Sequence, residues 1–395
     1  MRIGVVTTSY PRWPGDPAGS FVEGHARALR ALGHEVEIVA AGDGEEGTRL
    51  AVELRESARR SSERRVEKVA LHELNLREGE RRASGRRVPE IRIVSDERRP
   101  ILLHRRVVAP GLFYGGGAPD AIERDPLRAL LAAASFVPRF AATIAWHARR
   151  WDHIIAHWLP AALAALPARK PMTAIAHGGD VYTLQRMKLL APAIRALRGT
   201  RLVFVAEHLR AIAGVDGIVQ PMGIDLAHFR ALGRAPTKPP MILVVARLVP
   251  IKGVDVAIEA IGHVTGAHLV IAGDGPERRA LEARARGSRV TFLGHVDTQR
   301  RDALLREASV VVVPSRVMPN GRTEGCPTIA LEALAAGVPV IGTIGRASRI
   351  VPPDDGLAIA RAIDEILATP DARDTAALVA DLDRIRVAER LLRND

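Results

Sequence analysis

The sequence predicts an α/β protein made of two doubly wound parallel sheets arranged in tandem. The chain has 395 residues, more than a single hydrophobic core usually serves, so two domains are expected. Short apolar runs rich in β-branched residues alternate with helical stretches in both halves of the chain. The chain also opens with a strand, a glycine-rich loop, a helix and a second strand, the usual start of such a sheet.

The first half of the chain shows this alternation of strands and helices. Residues 2–8 are predicted to form a buried strand, and Ser20 is expected to cap the next helix with Glu23 completing a capping box. A second strand is predicted at 34–41. The alternation then predicts helices at 125–150, 160–168 and 181–198 and strands at 153–158, 172–177, 201–207 and 218–223.

Residues 45–106 interrupt the pattern with many charges of both signs and little periodicity. This composition indicates an exposed, partly disordered insertion in the first domain. Because the two signs are interspersed, a solvated segment is favoured over a nucleic-acid-binding or membrane-binding arm.

The second half repeats the scheme with five short strands, predicted at 241–246, 268–273, 290–294, 310–314 and 339–342. The predicted organisation is a first domain over 1–231, a proline-rich linker over 232–240 and a second domain over 241–371. A C-terminal segment over 372–395 is expected to form a helix, at about 372–392, that crosses back to the first domain. Two such domains would face a cleft, with ligands at the carboxyl ends of the strands.

Composition limits the cellular setting. The formal net charge of +12 suits phosphate-bearing ligands in general, while aromatic residues, at 4%, are too scarce for a nucleic-acid stacking surface. The single cysteine, Cys326, rules out an intramolecular disulfide and fits a reducing cytoplasm. No signal peptide is expected at the N-terminus. The apolar stretch 129–148, interrupted by Pro138, is interpreted as a buried or surface-lying helix.

The most informative segment runs from Glu324 to Gly342. Glu324 precedes a turn with Gly325 and Pro327 that starts a helix, and Glu332 lies about two turns into that helix. A helix N-terminus after a strand suits a diphosphate, and the two carboxylates can accept hydrogen bonds from sugar and ribose hydroxyls. Taken alone, this pair of glutamates also fits an ordinary helix surface.

Other candidate site residues follow other strands. Arg247 and Lys252 lie in the loop after the first strand of the second domain, where two cations can neutralise a leaving diphosphate. His177 ends a strand just before two glycines and Asp180, and it can contact a sugar or an acceptor. Gly15 and Gly19 lie in a loop that can approach a ligand closely, but their spacing is not that of a dinucleotide-binding loop.

These motifs together resemble the retaining glycosyltransferases of family four, a group 1 glycosyltransferase family with the GT-B architecture of two Rossmann-like domains. The ordered set covers almost the whole chain: the loop YPRWPGDPAGSFV, HGGD, PMGID at 221–225, ARLVPIKGVD, IAGDGPE, FLGHV, and two glutamates separated by seven residues.

The resemblance implies a role for each candidate residue. Arg247 and Lys252 would hold the donor diphosphate, Glu332 the ribose, and His177 would lie near the reacting face of the sugar. The transferred sugar would be held by Glu324 and by the backbone of Gly325, Cys326 and Pro327. The remaining implied substrate contacts come from Gly15, Gly19 and Asp180.

The implied activity is transfer of a sugar, with retention, from a UDP-, GDP- or ADP-linked donor to a glycan, lipid-linked or small-molecule acceptor. Such enzymes typically need no metal or other cofactor, because cations and a helix dipole stabilise the leaving group. The expected location is the cytoplasm or the inner face of the membrane, with peripheral membrane contact as a further hypothesis and no nucleic-acid partner.

One departure from the family pattern keeps alternatives open. The family usually has a Gly-Gly-x-Pro-Glu loop after the strand that here ends at Gly342, whereas this chain reaches Val351-Pro352-Pro353-Asp354 after a much shorter segment. A catalytically impaired nucleotide-sugar-binding or scaffold protein is therefore one alternative. A nucleotide-sugar 2-epimerase is another, but it gives no reason for Arg247 and Lys252 in their RLVPIKG context.

Overall fold

The computed structural model describes residues 1–12, 16, 18–42, 90–93, 101–109, 111–114, 118–369 and 375–393. These residues form two sheets accompanied by helices, so the predicted α/β fold class is confirmed. The described strands are β1 Arg2–Thr7, β2 Glu35–Gly42, β3 Glu90–Ile93, β4 Ile101–Val108, β5 His153–His157, β6 Met172–Ala176, β7 Arg201–Phe204, β8 Ile218–Val219, β9 Met241–Val245, β10 His268–Ala272, β11 Val290–Gly294, β12 Val310–Val313, β13 Val340–Gly342 and β14 Arg349–Ile350.

Helices follow most of the strands. They are α1 Ser20–Ala31, α2 Ala118–Arg124, α3 Pro126–Ala148, α4 Leu159–Ala165, α5 Gly179–Arg186, α6 Leu190–Ala196, α7 Glu207–Ala213, α8 Leu226–Ala231, α9 Val254–His263, α10 Arg278–Arg284, α11 Thr298–Glu307, α12 Thr328–Ala335, α13 Gly356–Ala368 and α14 Arg384–Leu392. Three short 3-10 segments are Leu166–Ala168, Pro250–Lys252 and Thr375–Leu382.

The first sheet has eight strands in the order β3-β4-β2-β1-β5-β6-β7-β8. β1 pairs in parallel with β2 and with β5, and the edge strand β3 pairs antiparallel with β4. Ile3, Val5, Ile38, Ile154 and Ile155 are fully buried. Both faces of a parallel sheet are covered by other elements, which explains why these strands are continuous apolar runs in the sequence.

The second sheet has six strands in the order β11-β10-β9-β12-β13-β14, and its strand pairs are parallel. The chain order reverses at β9, which has β10 on one side and β12 on the other. In open parallel sheets, ligands bind beyond the carboxyl ends of the strands at such a reversal. The ends of β9 and β12 are therefore the expected place for a site.

The chain divides into two compact units. One contains Met1–Ile175 and Met187–Leu202, and the other contains Ala176–Arg186 and Val203–Asp395. Within the second unit, Ala235 N–H and Thr237 N–H donate to the carbonyls of Arg306 and Glu307 at the end of α11. The domain limits inferred from the sequence, with a linker at 232–240, stay a prediction.

The predicted cap of α1 is wrong. Ser20 is the first helical residue, and the N-cap is Gly19, which has a left-handed backbone with φ 70° and makes no side-chain cap. Glu23 instead accepts a hydrogen bond from Arg27 one turn later at 2.8 Å. A Cβ atom on Gly19 would overlap the carbonyl oxygen of Ser9, so the close approach of the loop to β1 requires glycine there.

Three other sequence predictions need correction. The charged insertion does not extend to residue 106, because 101–106 belong to β4, which pairs in parallel with β2. The helix predicted at 181–198 is two helices, broken where Lys188 adopts φ 58°. The helix predicted at about 372–392 is a 3-10 segment followed by α14, and the break at Asp383 makes a bridge with Ile224. Residues 43–89 and 94–100 of the insertion lie outside the described residues.

Candidate functional site

The carboxyl end of β9 leads into the loop that carries Arg247 and Lys252. Arg247 is half-buried, and Lys252 ends the 3-10 segment Pro250–Lys252. Gly253 follows with φ 59°, and a Cβ atom there would overlap the carbonyl oxygen of Pro314. Only glycine permits this close approach, which brings the loop after β9 against the end of β12.

Lys252 and Glu324 form the centre of the site. The ammonium nitrogen of Lys252 contacts Oε1 of Glu324, and the hydroxyl of Ser315 donates to Oε2 at 2.8 Å. The two charged side chains are 24% and 13% exposed, so the ion pair is largely shielded from water. A shielded carboxylate needs such partners because an isolated buried charge is costly.

Glu324 and Gly325 lie in a loop that is packed tightly against two other segments of the second unit. A Cβ atom on Gly325 would overlap the carbonyl oxygen of His177. Tyr182 hydrogen-bonds to the backbone of Thr323, and His208 hydrogen-bonds to the backbone of Glu324. The contacts with His177, Tyr182 and His208 fix the position of the backbone of the Glu324 loop.

Burial shifts the pKa values of Tyr182 and His208, which hydrogen-bond to the backbone of this loop. It raises the pKa of the Tyr182 phenol, and it lowers the pKa of His208 despite the opposing hydrogen bond to Glu324. His208 is therefore favoured as a neutral imidazole, which adds no positive charge next to the Lys252–Glu324 pair. Its Nε2 atom is buried without a hydrogen-bond partner among the described residues.

The turn before α5 places His177 and Asp180. The carboxylate of buried Asp180 accepts hydrogen bonds from the backbone N–H groups of His177 at 3.1 Å and Gly178 at 2.9 Å. Asp180 thus shapes the turn that presents His177, whose side chain is half-buried. A direct substrate contact by Asp180 stays a prediction.

Helix α12 begins directly after the Glu324 loop. Its N-cap is Pro327, which makes no side-chain cap. Because proline has no N–H, only Gly325 and Cys326 among the three predicted backbone positions can donate a hydrogen bond. Burial raises the pKa of the Cys326 thiol to about 12, so the thiol stays protonated at neutral pH.

Glu332 lies on α12 within a charged cluster. Arg301 Nη1 lies 3.2 Å from its carboxylate, and Arg301 also donates to Asp302 Oδ1 at 2.8 Å. His228 Nε2 lies 2.8 Å from Asp302 Oδ2, and the Arg301 guanidinium lies over the ring of Phe229, 5.3 Å from its centre. Arg301 is thereby held by Asp302 and Phe229 while it contacts Glu332.

The carboxyl of Glu332 has an unusual proton affinity. Burial raises its pKa from 4.5 to about 7, and the nearby Arg301 opposes that rise without cancelling it. The Glu332 side chain is 15% exposed. A carboxyl with this pKa changes charge within the physiological pH range, which is common at functional sites.

The segment after β13 is short, as the sequence indicated. Thr343 hydrogen-bonds to the Ser315 carbonyl, and Gly345 turns with φ 78° beside Pro327. Arg346 forms an ion pair with Asp381. This short segment is therefore anchored both to Ser315, just after β12, and to the C-terminal 3-10 segment.

The remaining candidates fall in the first unit. Gly19 caps α1, and Gly15 lies outside the described residues. His157, at the end of β5, is fully buried with Nε2 3.2 Å from Nδ1 of His25. Burial lowers the pKa of His25 to about 4, so His25 carries no charge near pH 7.

Sequence reasoning missed Ser315, His208 and Arg301. A signal existed for Ser315, because it is the first polar residue after the apolar run of β12, at the edge where ligands bind. His208 follows β7 in a comparable position. Arg301 gave no signal, since it is one of several arginines on a polar helix. In the described part of the chain, no group of three or more metal-binding side chains lies close together.

The fold and this arrangement define the class of protein. Residues 239–379 match the family model described as glycosyl transferases group 1, which contains the Lys252, Glu324 and Glu332 site. This part of the chain is similar to the group 1 glycosyltransferases, and the resemblance inferred from the motifs is confirmed. The GT-B fold class is confirmed as well.

Individual relatives agree with this class. The chain is 28% identical over 270 residues to the colanic acid biosynthesis glycosyltransferase WcaL of Escherichia coli. The aligned region covers 60% of this chain and 66% of WcaL. The match thus spans less than two thirds of the length of this curated relative.

Two solved structures are similar over nearly the whole chain. The sucrose-phosphate synthase of Thermosynechococcus elongatus has a TM-score of 0.68 at 20% identity, covering 99% of this chain and 97% of that one. Anabaena HepE in complex with UDP-glucose has a TM-score of 0.63 at 14% identity, covering 99% and 98%. At these identities, the similarity establishes a shared fold.

Proposed function

We propose that this protein transfers a sugar, with retention of configuration, from a nucleoside diphosphate to a glycan, lipid-linked or small-molecule acceptor. The observation that carries the proposal is the contact of Lys252 with Glu324 at the carboxyl ends of β9 and β12. It joins a phosphate-binding cation to a hydroxyl-binding carboxylate at the point where parallel sheets bind nucleotides.

The proposed donor-binding roles fall to the loop after β9, the loop before α12 and α12 itself. Arg247 and Lys252 would bind the diphosphate, and the N–H groups of Gly325 and Cys326 would add donors at the helix N-terminus. Glu324 would accept hydrogen bonds from the transferred sugar. Glu332, about one turn into α12, would accept hydrogen bonds from the ribose.

The reaction requires stabilisation of a departing diphosphate. As the bond between the anomeric carbon and the phosphate oxygen breaks, negative charge grows on that oxygen, where Arg247 and Lys252 would neutralise it. The same oxygen would take the proton from the acceptor hydroxyl as the new bond forms on the same face of the sugar. His177 would line that face. This chemistry needs no metal ion.

The proposed donor is a sugar linked to UDP, GDP or ADP. One structural relative, HepE, was solved with UDP-glucose, which makes UDP-sugars the first class to test. The acceptor is proposed only as a class, since pocket details and not the fold decide acceptor choice.

A specific observation favours a second function. The segment between Gly342 and Val351 is short and anchored by Thr343 and Arg346, where the family carries a longer glycine-rich loop beside the donor. A protein that binds a nucleotide sugar without transferring it would tolerate such a loss. Donor binding without turnover would support this alternative.

The first prediction concerns the donor site. A panel of UDP-, GDP- and ADP-sugars is expected to raise the melting temperature of the wild type with one nucleotide class. A ligand at about 100 times its Kd should stabilise the fold by about 2.7 kcal/mol. The double variant Arg247→Ala/Lys252→Ala should lose this stabilisation, because it removes both cations for the diphosphate.

A matched control removes two exposed cations elsewhere, Lys188→Ala/Arg195→Ala, and should keep the full shift. If no nucleotide sugar stabilises the wild type, or if both double variants respond like the wild type, the proposed donor site is wrong. Where a donor binds, the anomeric configuration of any product, measured by NMR, tests retention.

A further inference from the structure

Helix α3 carries an unusual concentration of exposed apolar side chains. Of the fifteen large hydrophobic residues that are exposed in the described part of the chain, five lie on this one helix. We call these five the α3 face: Leu127, Leu130, Leu131, Val137 and Trp146. The three leucines are 64–68% exposed and Trp146 is 60% exposed.

The α3 face lies on one side of the helix. At about 100° per residue, its five members fall within roughly half of the helix circumference. The other side carries the buried residues, among them Phe136, Phe140 and Ile144. That buried side packs against β4 and α4 in the first unit.

This packing decides between lying on a membrane and crossing one. By length and composition, α3 could span a bilayer, since only 22% of its most apolar 18-residue stretch is buried. However, Phe136 stacks on Phe140 at 4.8 Å, and Phe113 packs on Phe136 at the same distance. A spanning helix would lose these contacts, whereas an interfacial helix keeps them and buries only its outer face.

The charges around the α3 face select an anionic surface. Residues 126–148 contain no Asp or Glu. The neighbouring Asp125 accepts a hydrogen bond from Arg128 N–H at 3.0 Å and caps the helix. Arg128, Arg139 and Arg149 are exposed, and the Arg149 guanidinium lies 4.8 Å from the centre of the Trp146 ring. Arginines beside leucines and an end tryptophan are typical of helices at a lipid headgroup boundary.

We propose that the α3 face docks on the surface of an anionic lipid bilayer, with α3 lying parallel to the membrane plane. The leucines enter the boundary between headgroups and acyl chains, Trp146 lies at headgroup level, and the arginines contact anionic headgroups. Docking needs no nucleotide sugar, so this proposal and the proposed transferase activity are tested separately.

The test is co-sedimentation of the full chain with phosphatidylcholine vesicles, with and without phosphatidylglycerol. We expect the wild type to pellet with the anionic vesicles and much less with the neutral ones. The variant Leu127→Gln/Leu130→Gln/Leu131→Gln should bind anionic vesicles at least about tenfold more weakly, since three apolar side chains leave the interface.

The matched control replaces three exposed leucines elsewhere, Leu189→Gln/Leu357→Gln/Leu378→Gln, and should bind as the wild type does. Melting temperatures of both variants verify folding. As a second measurement, brominated lipids should quench the tryptophan emission of the wild type more than that of Trp146→Phe.

Three outcomes would overturn the proposal. The wild type may fail to pellet with anionic vesicles, or the two triple variants may bind equally well. The third outcome is a wild type that is dimeric in light scattering and does not pellet, while the Leu127→Gln/Leu130→Gln/Leu131→Gln variant is monomeric. That result would make the α3 face an interface between two copies of this chain.

Discussion

At the scale of single residues, the proton affinity of Glu332 is set by competing neighbours. Burial raises its pKa to about 7, and Arg301 pulls that pKa downward. Asp302 and His228 act on the same carboxyl in opposite directions, Asp302 raising its pKa and His228 lowering it. Arg301 is held by Asp302 and by Phe229, which fixes where its charge acts. Arg301 is therefore a positioning residue for the proposed ribose contact.

This arrangement predicts how donor binding depends on pH. In the proposed site a ribose hydroxyl would donate to the ionised carboxylate, so donor affinity should fall as the pH drops through about 7, the pKa of Glu332. The Arg301→Gln variant removes a cation that lowers this pKa, so the midpoint of that fall should move to higher pH. Calorimetric titration of the donor across pH 5.5 to about 9 measures the midpoint.

The neighbouring variant Arg300→Gln is the control, because Arg300 lies on the same helix and pairs with Glu307 instead. It should leave the midpoint unchanged. Arg301→Lys keeps a cation near Glu332, so its midpoint should lie between those of the wild type and Arg301→Gln. An Arg301→Gln profile that coincides with the wild type would show that Arg301 does not act on Glu332.

The same pKa has a consequence for stability. The folded state holds the Glu332 proton up to about pH 7, whereas the unfolded chain releases it near 4.5. Folded protein then binds more protons between these values, so the contribution of Glu332 to stability falls as the pH rises from about 4.5 to 7. In the Glu332→Gln variant this decline should be absent from the pH dependence of the unfolding free energy.

At the scale of elements, the loop before α12 depends on a close backbone approach. Gly325 lies against the His177 carbonyl, and Tyr182 and His208 hold the backbone of the adjacent residues. The loop that carries Glu324 is thus positioned by segments distant in sequence. No intrinsic preference of residues 322–327 would produce this arrangement.

The Gly325→Ala substitution tests this dependence. Its methyl group would overlap the His177 carbonyl oxygen, so we expect a loss of about 1–3 kcal/mol of unfolding free energy and weaker donor binding. Chemical denaturation and thermal shift measure the two effects.

Gly262→Ala is the control, because Gly262 lies in helix α9 and nothing is within 4 Å of an added Cβ atom. Alanine there should raise the unfolding free energy by about 0.5–1 kcal/mol, through its better helix propensity. Equal behaviour of the two alanine variants would mean that the Glu324 loop is not held by His177.

At the scale of the whole molecule, Cys326 reports on folding because it is the single cysteine of the chain. Its thiol has a pKa raised to about 12 by burial. Thiol reagents react with the thiolate, so at pH 8 the native protein should react at least about 100-fold more slowly than the unfolded protein.

A colourimetric thiol reagent, followed over time with and without guanidinium chloride, measures this ratio. One equivalent should react in denaturant, and the native rate should be slow because little of the native thiol is ionised. Rapid native modification would show that the start of α12 is more open than described. The Cys326→Ser variant, which has no thiol, supplies the blank.

Much of the fold could be predicted from the order of patterns along the chain. Five of the six strands of the second sheet were found within a residue, because their apolar runs are short, β-branched and separated by helical stretches. The two-residue edge strand β14 was not predicted. The weaker predictions concerned places where tertiary contacts override local signals. Ser20 has an N-cap composition, yet Gly19 takes that position because only glycine fits against Ser9.

The site shows the same division. Glu324 and Lys252 were identified from motif spacing, and the structure brings them into contact although 72 residues separate them. Ser315, His208 and Arg301 were missed, because their relevance lies in which carboxylate or backbone group they meet. For Arg247, Asp180 and His177, direct substrate contacts remain predictions.

The sequence by itself determined the fold class, the succession of strands and helices, and the motif set of a group 1 glycosyltransferase, since these depend on local periodicity and on the order of short segments. Only the tertiary structure decided which carboxylates are shielded, which cations meet them, and that the leucines of α3 face outward. The reason is physical: burial, proton affinity and exposure depend on neighbours that the folded chain brings from distant positions.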